Sequence, residues 1–193
     1  MSSRGRDLAR TSLWVMPAAV GATAVRVTDG TGDDVDPVWT PAGDAVVFAR
    51  RTDATFALAR VAIGARGDAV AIGPVELVAE GPVHHVSPSV AATGEIAYQE
   101  IDRDGSRSRI ALRAVDGSVT FLTDGPRDVT PAWRPGGAQL AFARAVERPG
   151  GGRDYDLFVQ PLDGEPRPLV DLAGTDESGP RWSADGRWLF ATA

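Results

Sequence analysis

Apolar residues in this chain come in short runs, and each run is cut off by glycine, proline or a charged residue before a 3.6-residue stripe can develop. Short apolar runs bounded by turn residues predict β-strands and no long helix. The runs also recur in a fixed order. Four segments align: Asp34 to Gly43, His85 to Gly94, Asp128 to Gly137 and Glu177 to Gly186. Each leads into a stretch that ends in an aromatic, namely Phe48, Tyr98, Phe142 and Phe190. The anchoring prolines Pro37, Pro88, Pro131 and Pro180 stand 51, 43 and 49 residues apart. A period in the forties with Gly-rich turns predicts β-propeller blades of four short antiparallel strands.

The third repeat shows the expected plan. Pro131 to Trp133 opens the innermost strand, Pro135-Gly136-Gly137 turns, and Gln139 to Ala145 forms the second strand. A polar loop, Glu147 to Asp154, leads to Leu157 to Pro161, an Asp163-Gly164 turn and Arg167 to Val170. The second strands are unbroken apolar runs, as expected where neighbouring blades cover both faces. Proline is tolerable on an edge strand, because its missing N–H costs no ladder bond there. Trp39, Trp133 and Trp182 recur two residues after the proline and are expected to pack between blades, while Gly43, Gly94, Gly137 and Gly186 close the turns. The second repeat departs from the pattern, with Val90 in place of tryptophan.

The phase of the repeat places the strand at Leu13 to Met16 third in its blade and Ala24 to Thr28 fourth, so the chain begins half a blade in and stops after a second strand. The expected organisation is one all-β propeller region over residues 1–193: a half-blade at about 8–30, blades at about 34–80, 85–124 and 128–171, and a half-blade at about 177–193. These four blade equivalents would either close a four-bladed ring by pairing the terminal halves or form an open arc of a larger propeller.

Composition narrows the chemistry. There is no cysteine, which removes disulfides, thiolate nucleophiles and cysteine metal sites. Every basic residue is arginine, so a phosphate-binding loop that needs lysine is excluded. Twenty basic against 26 acidic residues give a net charge of −6, the wrong sign for a nucleic-acid binder. No apolar run is long enough to span a membrane. The arginine-bearing start, Met1 to Arg10, and the apolar stretch broken by Pro17 read as part of the fold and not as a clear signal peptide.

The proline, tryptophan, glycine and aromatic signature, with segments such as Asp156 to Leu169, resembles the TolB-like family of WD-like β-propeller repeats from Leu13 to Phe190. That resemblance implies rings that are usually six-bladed, so that the four blade equivalents form an open arc of a larger propeller and not a closed ring; it also implies a periplasmic or cell-envelope location and binding of proteins or peptides as a scaffold. It also brings to mind the propellers that gate prolyl-oligopeptidase-like or tricorn-like hydrolases.

Candidate chemistry is sparse. No G-x-S-x-G elbow occurs. Adjacent His84 and His85 point to opposite sides of an extended chain and are expected in a solvated loop, and Asp102 to Gly105 lacks the glycine and glutamate of a calcium loop. No catalytic residue, metal site or cofactor is therefore assigned. One column stands out three residues before each proline: Asp34, His85, Asp128 and Glu177, expected at one mouth of the channel with Arg127 as the opposing charge. Carboxylates around a concavity would attract a basic partner, and His85 would reduce that field below about pH 6.5. The alternative is that each side chain caps its own loop. The chain accordingly reads as a non-catalytic protein- or peptide-binding propeller. The alternatives are a propeller segment of a multidomain hydrolase, or a self-contained enzyme at the channel mouth.

Overall fold

The computed structural model describes residues 10–66, 69–172 and 174–193. Leu8 and Ala9, expected to open the leading half-blade, lie outside that range. Sixteen strands account for the regular structure of the described residues. None of the described residues forms a helix long and apolar enough to cross a membrane.

β1 (Trp14–Val15) and β2 (Val25–Arg26) form a two-stranded sheet. Three four-stranded meanders follow: β3 (Asp34–Trp39), β4 (Ala45–Arg51), β5 (Phe56–Arg66) and β6 (Ala69–Ala79); β7 (His84–Val90), β8 (Ile96–Ile101), β9 (Ser108–Arg113) and β10 (Val119–Phe121); and β11 (Asp128–Trp133), β12 (Gln139–Glu147), β13 (Arg153–Pro161) and β14 (Arg167–Val170). A second two-stranded sheet, β15 (Ser178–Trp182) and β16 (Leu189–Thr192), ends the chain. The terminal pairs belong to separate sheets, so the arc is open. In the third meander the polar loop is shorter than its sequence suggests, because β12 and β13 continue to the pair Glu147 and Arg153.

Hydrogen bonds fix the phase of the leading pair. The Thr28 hydroxyl accepts the Leu13 N–H at 3.0 Å, as the Thr123 hydroxyl accepts that of Ile110 at 2.9 Å. β1 and β2 thus occupy the places of β9 and β10, the third and fourth strands of a blade.

The core is divided into layers between blades. Alternate residues of a strand point to opposite faces, and in β4 Val46 and Phe48 pack toward Leu13 while Val47 and Ala49 pack toward Ile96 and Tyr98. Trp133, 8% exposed, joins Ala91, Ala97, Ile110, Leu140 and Phe142. Trp182 reaches the preceding blade, its indole N–H donating to the Ala132 carbonyl at 3.1 Å. Trp39 departs from the expected packing and is 50% exposed. Its preceding neighbour supplies only the third and fourth strands, leaving uncovered the face on which Trp133 is buried.

The last aromatic also departs from the alignment. Trp182 pairs with Leu189 as Trp133 pairs with Leu140, so the counterpart of Phe142 is Ala191 and not Phe190. A one-residue offset turns a strand side chain to the other face, and Phe190 is 69% exposed.

Candidate functional site

Each innermost strand carries an irregularity at its proline. The pairing of first and second strands shifts between Val35 and Val38, Val86 and Ser89, Val129 and Ala132, and Ser178 and Arg181. Proline cannot donate to the ladder, and a bulge is where a strand accommodates it. The residue before the proline adopts the left-handed region in every case: Asp36 at φ 53°, Ser87 at 50°, Thr130 at 51° and Gly179 at 60°. Three of these are not glycine, and Thr130 is β-branched, the costliest type to hold there. Strain of this kind persists only where the surroundings enforce it.

These bulges meet in a cleft where the innermost strands converge, lined by Asp36, Ser87, Thr130 and Arg181 together with the anchoring prolines Pro37, Pro88 and Pro131. Asp36 Oδ2 accepts the Ser87 backbone N–H at 3.1 Å and its hydroxyl at 3.3 Å, tying the first complete blade to the second. The Thr130 hydroxyl oxygen is buried without a hydrogen-bond partner among the described residues. Arg181 donates to its own neighbour's carbonyl, Pro180, at 2.8 Å and forms no ion pair among the described residues. The cleft thus presents one carboxylate, one guanidinium and a set of rigid proline rings.

The ionisable column has a different environment. Asp34 and Asp128 are fully buried, and Glu177 and His85 are 2% and 5% exposed. Asp34 lies opposite Arg50 in the β3–β4 register and accepts its Nε at 2.7 Å and Nη2 at 2.9 Å. Asp128 lies opposite Arg144 and accepts its Nε at 2.6 Å and Nη2 at 2.9 Å. Bidentate pairing of this type satisfies the oxygens of a buried carboxylate. The bond to Asp34 also raises the pKa of Arg50, outweighing the opposing effect of burial. A Cβ on Gly125 would come within 2.7 Å of both Asp128 carboxylate oxygens and Arg144 Nε, so this turn needs glycine for close approach.

In the second blade the polarity is reversed. His85 lies opposite Glu100, with Nε2 3.6 Å from Glu100 Oε2, and Glu100 Oε1 accepts Arg109 Nη2 at 2.6 Å from the third strand. His85 is buried in β7 beside Tyr98, with ring centroids 5.2 Å apart, and not in a solvated loop. His84 faces the other way, and its Nδ1 accepts the Phe56 N–H at 3.3 Å. Tyr98 is pushed up to about 12 by burial first and the nearby Glu100 charge second.

Glu177 has no cross-strand arginine. The register places Ala193 opposite it, and its carboxylate is bonded to the Thr175 hydroxyl, while Oε2 is buried without a partner among the described residues. The nearby acids Asp154, Asp156 and Asp171 share Arg148. Burial raises the pKa of Asp156 against the lowering effect of Arg148, with Asp171, Asp154 and Glu177 adding to the rise. The charges opposing the column are therefore Arg50 and Arg144, one strand over, whereas Arg127 donates to the Gly105 carbonyl at 2.9 Å. Column and cleft lie only two residues apart along the innermost strands, but Asp34, His85 and Asp128 of the column face charged partners within their own blades and the cleft is open. Among the described residues no group of three or more His, Asp or Glu side chains is placed to hold a metal ion.

Comparison with known proteins agrees with this architecture. No protein-family model matches the chain. It is 36% identical over 83 residues to the Tol-Pal system protein TolB of Methylobacillus flagellatus, a match covering 42% of this chain and 18% of that protein. An oligogalacturonate lyase structure in complex with manganese superposes with a TM-score of 0.62 at 18% identity, covering 86% of this chain and 48% of the other. A prolyl endopeptidase structure gives 0.59 at 16% identity, covering 83% and 26%. The chain thus spans half or less of each of these proteins. The fold class is that of β-propeller repeats in an open arrangement. Within that class, 83 residues of the repeats are similar to TolB.

Proposed function

We propose that this chain is a non-catalytic binding module whose partner is a protein or peptide held at the cleft between the innermost strands. The observation that carries this reading is the convergence of three left-handed bulges, at Asp36, Ser87 and Thr130, with Arg181 of the fourth innermost strand on one cleft. Backbone strain maintained at the same position in successive blades needs a use other than stability, and a rigid cleft with both signs of charge suits an extended peptide. The column Asp34, His85, Asp128 and Glu177 serves that site indirectly, by anchoring the strand entries. Because Asp34 and Asp128 are neutralised by arginine, preference for a basic partner rests on Asp36 rather than on the column. Similarity to a protein of the Tol-Pal system supports a scaffold in the cell envelope. A second reading, a substrate-access segment of a multidomain hydrolase, draws support from the prolyl endopeptidase superposition.

Peptide-display selection against the wild-type chain, repeated on an Asp36→Ala, Arg181→Ala double variant, tests the first reading. Sequences enriched by the wild type and lost on the double variant are expected. Equal enrichment on both would exclude the cleft. Turnover of peptide or ester substrates by this chain would overturn the non-catalytic assignment.

A further inference from the structure

We propose that the end of the cleft where the Thr130 bulge meets Arg181 receives a carboxylate of the bound peptide; this deepens the reading given above and rests on it.

The first two complete blades show how a bulge of this kind holds a carboxylate. Asp36 Oδ2 of one blade accepts both the backbone N–H and the hydroxyl of Ser87, the bulge residue of the next. Asp36, Ser87 and Thr130 share one backbone conformation, with φ of 53°, 50° and 51°. The step from the second blade to the third therefore repeats the arrangement, with Thr130 in the place of Ser87 and Ser87 in the place of Asp36. Ser87 brings no carboxylate, and its own hydroxyl already donates to Asp36. The Thr130 hydroxyl oxygen is accordingly buried with no partner among the described residues, although Thr130 lines the cleft. A buried hydroxyl without a partner is costly, and rotation about χ1 between staggered positions can bring it to a ligand in the cleft.

Arg181 supplies the charge. The residues after the anchoring prolines of the complete blades are Val38, Ser89 and Ala132, so a guanidinium at this position belongs to the fourth repeat alone. Its cross-strand neighbour is Phe190, which offers no acceptor from its side chain. Arg181 Nη1 donates to the Pro180 carbonyl, leaving Nε and Nη2 without an acceptor among the described residues. That is the edge which Arg50 and Arg144 turn to Asp34 and Asp128. Two N–H groups on one planar edge match the two oxygens of a carboxylate. Asp36 lines the same cleft but forms no ion pair with Arg181, and the cleft's volume is about 190 Å³, room for a short acidic side chain or a chain terminus. A carboxylate balances Arg181 charge for charge, whereas a phosphate dianion would add a charge facing Asp36.

The test uses the intact chain and a library of random peptides with free C-termini. Peptides enriched by the wild type are expected to share Asp, Glu or the terminal carboxylate at one position. Synthetic copies amidated at the C-terminus, or with the shared residue changed to its amide, tell terminus from side chain. Loss of the carboxylate should weaken binding about 10-fold or more in fluorescence anisotropy, as for a hydrogen bond to a charged group. Arg181→Gln alters an exposed side chain and should cost the acidic peptide a similar factor while leaving its amide copy unaffected, with unchanged far-ultraviolet circular dichroism. Thr130→Val should act in the same direction by a smaller factor, and Thr130→Ser should restore the wild-type affinity. Enriched peptides that share no acid, or equal losses for acid and amide copies on Arg181→Gln, would overturn this proposal and leave the cleft standing as a peptide site. Enrichment of no peptide at all would remove both.

Discussion

The first and third complete blades and the second solve the same problem with opposite chemistry. In the former, an aspartate at the entry to the innermost strand meets an arginine on the second strand, Asp34 with Arg50 and Asp128 with Arg144. In the latter, His85 meets Glu100, which is held in turn by Arg109 on the third strand. Across three strands the third blade places acid, base and acid at Asp128, Arg144 and Asp156, and the second places His85, Glu100 and Arg109. The side chains exchange roles while the geometry is retained. Such compensation is expected of groups that must satisfy one another in a buried place. A partner reading the column's charge would instead favour one sign throughout.

The largest effect tests the pairing directly. Asp128→Ala leaves Arg144, whose side chain is 19% exposed, without its carboxylate. Removal of one member of a buried pair costs about 3–5 kcal/mol. Chemical denaturation should show that loss, and a loss below about 1 kcal/mol would mean that the pair is solvated and dispensable.

A smaller effect comes from forcing the second blade toward the pattern of the others. His85→Asp sets a second carboxylate beside Glu100, and neighbouring groups in one network couple by about 0.5–3 kcal/mol. The triple variant His85→Asp, Glu100→Arg, Arg109→Asp rebuilds the order seen in the third blade and should recover most of the stability. If the triple variant is no better than the single one, the polarity of each blade is set by something other than these three residues.

Much of this is legible in the sequence. The repeat and the strand phase follow from the spacing of prolines and turns, because a period of two and a fixed turn leave the chain few alternatives, whereas the open arc follows from the larger rings that the resemblance implies. The partners of the column were equally visible in principle. Arginine stands two residues after Phe48 and after Phe142, and glutamate stands two residues after Tyr98, in the one repeat where histidine replaces aspartate. That exchange signals contact within a blade, yet the column alone suggests an acidic mouth. The cleft was harder to foresee. A polar residue before each proline is apparent in Asp36, Ser87 and Thr130, but proline normally drives its predecessor toward extended geometry, so the left-handed bulge is a tertiary effect. The exposure of Trp39 and Phe190 is hidden for other reasons: alignment does not show that the blade before Trp39 supplies only two strands, and it places Phe190 one residue out of the register that aligns Ala191 with Phe142.

The second blade also differs at its central aromatic, where Tyr98 stands in place of Phe48 and Phe142. Its phenol is raised to about 12 by burial and by Glu100. An acid with a raised pKa is favoured neutral in the fold, so its contribution is intact below the unfolded value near 10 and is lost as pH rises from about 10 to 12. Stability measured through that window should fall less steeply in Tyr98→Phe than in the wild type. Identical slopes would mean that the phenol titrates freely.

The smallest effect concerns the bulges, which distinguish the blades by residue type at one backbone conformation. The last innermost strand places glycine there, Gly179 at φ 60°, whereas the third blade holds Thr130 at 51° with its hydroxyl oxygen buried and unpartnered among the described residues. A non-glycine residue in the left-handed region costs on the order of 1–3 kcal/mol. Replacement by glycine relieves that strain but gives back about 0.5–1 kcal/mol through the greater freedom of the unfolded chain. Thr130→Gly is thus expected to stabilise by about 0–2.5 kcal/mol, each kcal/mol read as a rise in Tm of roughly 2–4 °C for a chain of this size. Asp36→Gly relieves the same strain but loses the two bonds that Ser87 donates to its carboxylate, so no gain is expected there. A lower Tm for Thr130→Gly would show that the threonine holds the bulge through contacts worth more than the strain it bears.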